Sequence, residues 1–259
     1  MAIDPTLKGG GGPARPPSVL KPKAKDLPPN PKLEAALKKT ALRDLMRGKK
    51  SANIRVLVLV EDCSGSMYPW KATRSSFVPR FKEVVLTKYT SFSERLIVLY
   101  CAISGGCVTA GPVPIASLEQ PQFQDGGGTP LATTFDTLTD LLSGWVEAEV
   151  IPAEAVMKEF EVVIFGDCEP SPGAEAERTP EAARKFAAFV KEGVNGRIKI
   201  LGPAAARMDW AVVEALGVKR EEVKYLDAAN PDAILDWSIQ SVDSNPHRSD
   251  PSIIAPKPT

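Results

Sequence analysis

The chain predicts an α/β fold: a Rossmann-like, doubly wound, mostly parallel sheet with one short antiparallel edge strand and helices on both faces. Three observations predict it. Apolar runs rich in Val, Ile and Leu recur at 56–60, 95–103 and 160–165, and runs of this kind suit strands covered on both sides. Between most of them lie stretches of helical length, the alternation that produces parallel sheets. Two runs end abruptly in an acid, VLVLVEDCSGSM at 56–67 and FEVVIFGDC at 160–168. In such sheets ligands collect beyond the carboxyl ends of the strands, where these acids must lie.

In chain order, residues 1–31 hold eight prolines and the run Gly9–Gly12, which predicts a flexible, partly extended arm. Leu33, Ala36, Leu37, Thr40, Ala41 and Leu45 share one face at helical spacing, so 32–47 is expected to be an amphipathic helix stopped at Gly48. The body is expected over 54–243. Its first strand, 56–60, leads into a helix over 68–90, in which Pro79 either opens a helix near Phe77 or lies inside a longer one. A second strand covers 95–103. Gly105 and Gly106 turn the chain into a shorter strand around 107–116, whose prolines at 112 and 114 suit an antiparallel edge.

The loop FQDGGGTPL then precedes a helix over 131–148, with glycines for close approach and proline in the first turn. After the strand 160–165 come a helix at 180–192, a strand at 197–201, a helix at 208–216, a strand near 223–226 and a last helix at 231–242. The polar, proline-rich stretch 244–259 is expected to fray. No internal repeat is evident.

Composition bounds the function. A chain of 259 residues with 43% hydrophobic composition buries a sizeable core, and a formal net charge of zero gives no reason to expect nucleic acid. The charge is unevenly placed: residues 1–53 carry 12 basic against 4 acidic side chains, the remainder 20 against 28. No signal-like apolar region opens the chain and no run approaches about eighteen apolar residues. A soluble cytosolic protein without membrane contact is expected. Four cysteines with no C-x-x-C pair read as reduced thiols. Cys63 and Cys168 each adjoin a strand-end aspartate, so oxidation sensing between them is one reading and ordinary packing the other.

Asp62, Ser64 and Ser66 place one carboxylate and two hydroxyls in a single short loop. Such hard oxygen donors suit Mg²⁺, with Mn²⁺ or Ca²⁺ as alternatives, better than zinc. Alone, the same residues could serve as a helix cap. Thr129 in the glycine loop and Asp167 after a later strand add two more oxygen donors at the same sheet edge.

These residues, D-C-S-G-S at 62–66, the GGTP threonine Thr129 and the strand-ending Asp167, resemble the metal-ion-dependent adhesion site of the von Willebrand factor A domain. The resemblance covers about 54–242. It implies that Ser64 and Ser66 bind the ion directly, Thr129 directly or through water, and Asp62 and Asp167 largely through water. It further implies that an Asp or Glu of a partner protein completes the coordination. Gly166-Asp167-Cys168 departs from the family's usual TDG, putting the loop conformation at 168 in question. The GGTPL wording, the D-x-x-P-S after the strand and the DWSIQSV segment resemble the bacterial TerY-like branch. That branch implies an adaptor in a stress-response or defence complex, with kinases, phosphatases or AAA+ ATPases as partners.

The alternatives are a metal-independent scaffold engaging partners through its N-terminal helix and arm, and a phosphatase-like hydrolase. Haloacid-dehalogenase-like phosphatases need a second acid two residues after the first and another four after the late aspartate, where this chain has Ser64 and Ser171. Without proton-transfer groups no phosphoryl-transfer machinery is present. G-x-S-x-G and G-x-x-x-x-G-K-[ST] are absent, and the single histidine, His247, lies in the tail. The expectation is a binding module, not an enzyme. Tyr68 and Trp70 either rim the metal face as contact residues or pack the first helix on the sheet.

Overall fold

The computed structural model describes residues 55–88, 96–123, 125–147 and 160–225, with the backbone alone at 72–76 and 205. The expected arm 1–31, the helices at 32–47 and 231–242 and the tail 244–259 lie outside the described residues. Within them, strand β1 (Arg55–Asp62) is followed by a 3₁₀ turn at Gly65–Trp70 and helix α1 (Lys71–Lys88). Then come β2 (Leu96–Ile103), β3 (Cys107–Pro114), α2 (Leu131–Glu147) and β4 (Phe160–Phe165). The series ends with α3 (Ala174–Ala188), β5 (Arg197–Gly202), α4 (Trp210–Ala215) and β6 (Lys224–Tyr225).

The six strands form one sheet in the order β3-β2-β1-β4-β5-β6. All neighbours pair in parallel except β3, which runs antiparallel to β2 at the edge. Edge placement tolerates Pro112 and Pro114, since a missing N–H there breaks no ladder on the free side. The chain winds outward from β1 to β3, then returns to place β4 on the other flank of β1. That reversal makes the β1/β4 boundary the topological switch point, outside whose carboxyl end a ligand crevice forms.

All eight residues of β1 are buried, as expected of a strand covered on both faces. Its side chains alternate between two cores. Val56, Val58 and Val60 pack with Phe135 and Leu138 of α2, Phe186 of α3 and Val212 of α4. Leu57 and Leu59 pack on the opposite face with Val78, Phe81 and Val85 of α1. The rings of Phe135 and Phe186 stack with centroids 5.4 Å apart, joining α2 to α3. On the α1 face the buried Glu61 accepts a hydrogen bond from the Tyr100 hydroxyl, and burial, reinforced by that carboxylate, raises the Tyr100 phenol above its ordinary value. No helix among the described residues is long and apolar enough to cross a membrane.

One helix decides between two expectations and another departs from its own. Pro79 lies inside α1, so the longer of the two expected helices forms, preceded by the 3₁₀ turn. Helix α3 begins at Ala174, before the expected start at 180, and Pro180 lies in its interior. Gly173, at φ +86°, turns the chain into that helix, and Glu175 and Glu177 place negative charge in its first turn, where the helix dipole favours it. These gains offset the one backbone bond that Pro180 cannot donate. Asp209 caps α4, its Oδ1 accepting from the backbone N–H groups of Ala211 at 3.0 Å and Val212 at 3.3 Å.

Candidate metal centre

Asp62 is the last residue of β1 and is 2% exposed. Its Oδ1 accepts from the backbone N–H of Ser64 at 2.8 Å, a local turn that aspartate forms readily. Ser64 occupies the cap position of the 3₁₀ turn, yet its side chain makes no capping bond. Its Oγ instead lies 3.0 Å from the Ser66 Oγ. The helix-cap reading of these residues is therefore not the one the structure adopts, and the two hydroxyls form a pair.

Asp167 follows β4 by two residues and is fully buried. Its Oδ1 accepts from the Glu169 N–H at 3.0 Å. Its Oδ2, equally buried, has no hydrogen-bond partner among the described residues. An unsatisfied buried carboxylate oxygen is expensive unless a cation or water meets it. Adjacent Gly166 explains how Asp62 and Asp167 share one edge. A Cβ at 166 would stand 2.6 Å from the Asp62 Cβ and 3.1 Å from its Oδ2, so only glycine lets the Asp62 side chain lie there.

Thr129 is buried and held through its backbone. Its N–H donates to the Ser171 Oγ at 2.7 Å, while its carbonyl accepts from the Ser171 N–H at 2.9 Å. The Ser171 hydroxyl also presses on Gly128, where a Cβ would fall 2.6 Å from it. The remaining loops are joined by backbone. The Gly126 N–H donates to the Cys63 carbonyl at 3.0 Å, the Gly65 N–H to the Gly127 carbonyl at 3.3 Å, and the Gly105 N–H to the Gly128 carbonyl at 2.6 Å. The Asp209 N–H donates to the Asp167 carbonyl at 2.9 Å.

The structure thus brings the loops carrying Asp62, Ser64, Ser66, Thr129 and Asp167 to one end of the sheet and fastens them together. Among the described residues no three His, Cys, Asp or Glu side chains cluster as a metal group; the donors here are two carboxylates and three hydroxyls. Such an all-oxygen set, with the buried Asp167 Oδ2 lacking a hydrogen-bond partner among the described residues, fits a hard divalent ion. Residues that sequence reasoning missed are the fasteners. Ser171, the serine of D-x-x-P-S, is one. Ser104, whose Oγ accepts from the Gly127 N–H at 3.2 Å, and Arg207, whose Nη2 donates to the Ser66 carbonyl at 3.0 Å, are others. Only Ser171 carried a sequence signal, its fixed offset from Asp167.

The two aromatics divide. Trp70 is buried with Met67, Phe165 and Leu201, whereas Tyr68 is 63% exposed on the turn after the serines, with the Lys71 ammonium 5.7 Å from its ring centroid. Cys63 belongs to the α1-side core and Cys168 to the other, so these two pack on opposite faces of the sheet. Burial pushes the Cys168 thiol well up, and the carboxylates of Asp62, Asp167 and Asp209 push it further. A thiol held protonated in a closed core is inert.

Cys168, where a glycine was the family expectation, has φ +58°, a conformation costing about 1–2 kcal/mol for a residue with a Cβ. Cys168→Gly is therefore expected to be more stable than Cys168→Ala by about 1 kcal/mol, since both lose the thiol and only glycine relieves the backbone. Paired urea unfolding curves check this; equal midpoints would show that position 168 carries no strain.

No protein-family model and no curated protein matches the chain. Among solved structures, it is similar to the open conformation of the pilus adhesin SpaC from Lactobacillus rhamnosus GG, with TM-score 0.54 and 12% identity, over 76% of this chain and 31% of that one. It is also similar to proximal thread matrix protein 1 of the mussel byssus, with TM-score 0.52 and 16% identity, over 73% and 48%. A von Willebrand factor type A protein from Catenulispora acidiphila matches at TM-score 0.45 and 15% identity, over 73% and 43%. The chain spans between about a third and a half of the length of these proteins. What the first two share with it, at such identities, is the fold: a mostly parallel α/β sheet flanked by helices.

Proposed function

We propose that the chain is a metal-dependent protein-interaction module of the von Willebrand factor A type. Ser64, Ser66 and Thr129 would hold a divalent cation, Mg²⁺ with Mn²⁺ or Ca²⁺ as alternatives, and Asp62 and Asp167 would supply the compensating charge. When bound, the ion supplies an open coordination position that a carboxylate of a partner protein can fill. The observation that carries this reading is Asp167 Oδ2, a buried carboxylate oxygen with no hydrogen-bond partner among the described residues, at the same end of the sheet as the loop whose Ser64 and Ser66 hydroxyls lie 3.0 Å apart. This chain's own residues orient and exclude. Asp62 aims Ser64 through its backbone, Ser171 clamps Thr129, and the glycine contacts keep the loops too close for side chains to intrude. The adhesin description of one fold neighbour is in keeping with a binding role. Adaptor work in a bacterial stress or defence complex, with kinases, phosphatases or AAA+ ATPases as partners, extends this reading on the TerY-like resemblance.

Titration of the full chain with Mn²⁺, followed by water-proton relaxation, tests it. A single bound Mn²⁺ displaced by excess Mg²⁺ is expected. Adding a short glutamate-containing peptide should lower the relaxation enhancement as a carboxylate replaces a bound water. Asp62→Ala should weaken Mn²⁺ binding by about 10–100-fold, the range typical of losing a residue that orients metal ligands. Equal affinity in wild type and Asp62→Ala would overturn the site.

A further inference from the structure

A second chemical feature lies outside the candidate metal centre. Cys101 of β2 and Cys107, the first residue of β3, place their Sγ atoms 3.2 Å apart, and both are free thiols. They are diagonal neighbours across the antiparallel pair, since Cys101 faces Thr109 and Ile103 faces Cys107. All four side chains therefore share one sheet face. A disulfide requires S–S of about 2.05 Å, so the sulfurs need approach by only about 1.1 Å, against a hairpin whose register already holds them together. From this pair we infer that Cys101 and Cys107 form an oxidisable dithiol, a modification site whose co-reactant is a small hydroperoxide such as hydrogen peroxide.

The two thiols are unequal in the way such chemistry needs. Cys101 is fully buried, whereas Cys107, the first residue of β3, is only half-buried. The hydrogen bond between them lowers the Cys107 thiol below its ordinary value, and the same bond together with burial raises Cys101. Cys107, the less buried of the two sulfurs, is thus the one placed to meet an oxidant. In the first step the Cys107 thiolate attacks one peroxide oxygen. The O–O bond breaks, the released hydroxide takes a proton to become water, and Cys107 becomes a sulfenic acid, oxidised by two electrons. In the second step the Cys101 sulfur attacks Cys107 Sγ, losing its proton as the S–O bond breaks. One disulfide forms and a second water leaves. Overall, two thiols and one peroxide give one disulfide and two waters. Neither Cys63 nor Cys168 has this arrangement: both are buried, on opposite faces of the sheet.

The test uses the full, reduced chain with hydrogen peroxide, in the absence of divalent ions, so that its outcome is independent of the metal reading. Two of the four thiols are expected to disappear from a denatured thiol count. The tryptic peptide from Leu96 to Lys158, which carries both cysteines, should lose two hydrogens in mass and regain them with dithiothreitol. Cys101→Ala should stall at a Cys107 sulfenic acid trapped by dimedone, and Cys107→Ser should keep its remaining thiols under the same treatment. Four unreacted thiols in the wild type, a link involving Cys63 or Cys168, or Cys107 over-oxidised without a link to Cys101 would each overturn the inference.

Discussion

Gly127→Ala is expected to destabilise the body and to weaken divalent-cation binding in the same variant. A Cβ at 127 would stand 2.5 Å from the Gly105 nitrogen, 2.7 Å from the Ser104 carbonyl carbon and 3.0 Å from the Gly105 Cα. All three are backbone atoms, so no side chain can rotate away and one loop must retreat from the other. Overpacking of this kind costs about 1–3 kcal/mol. The retreat also opens the bonds from the Gly127 N–H to Ser104 Oγ and from the Gly105 N–H to the Gly128 carbonyl, each worth about 1 kcal/mol. Thr129 lies two residues further along the displaced loop. Gly106→Ala is the control, because a Cβ there meets nothing within 4 Å. Thermal unfolding with and without Mg²⁺ should show a lowered midpoint and a reduced Mg²⁺ shift for Gly127→Ala, and neither for Gly106→Ala. Equal behaviour of the two variants would mean that the loop contact does not support the site.

Asp167→Asn should separate binding from stability in the opposite sense. The substitution keeps the shape and leaves an oxygen to accept from the Glu169 N–H, but it removes charge from a fully buried position whose Oδ2 has no hydrogen-bond partner among the described residues. Removing an uncompensated buried charge is neutral or stabilising in the metal-free protein. A metal at 100 times its dissociation constant stabilises the folded state by about 2.7 kcal/mol, and that increment should vanish as affinity falls. The expected result is an unfolding midpoint in EDTA equal to or above wild type, with no response to Mg²⁺. A variant that unfolds earlier in EDTA yet still responds to Mg²⁺ would assign Asp167 a structural role instead.

Most strands were legible because β1, β2 and β4 are covered by other parts of the chain, and largely apolar runs follow from that burial. β3 was readable from Pro112 and Pro114, whose missing N–H groups restrict them to an edge. The start of α3 was misread because Pro180 resembles a first-turn proline, while the actual entry depends on Gly173 and on acids whose contribution is small and local. For the candidate site, Asp62, Ser64, Ser66 and Asp167 stood out as oxygen donors just after apolar runs, and Thr129 as the threonine of a glycine loop. Ser104 and Arg207 were invisible, because a loop serine or arginine acquires its meaning only from the backbone group it meets.

By itself, the sequence determined, within the described residues, where the strands lie, that helices separate most of them, and that oxygen donors follow the strands ending at Asp62 and Phe165, because periodicity and punctuation are local properties of the chain. The tertiary structure alone decided that β4 returns to lie beside β1, since a crossover's length does not specify its destination. That return brings Asp62 against Gly166. It also decided that Ser171 clamps Thr129, that Cys63 and Cys168 lie on opposite faces, and that Cys101 meets Cys107. Each of these depends on strand order, register or the side from which a loop approaches, and those are settled by long-range packing.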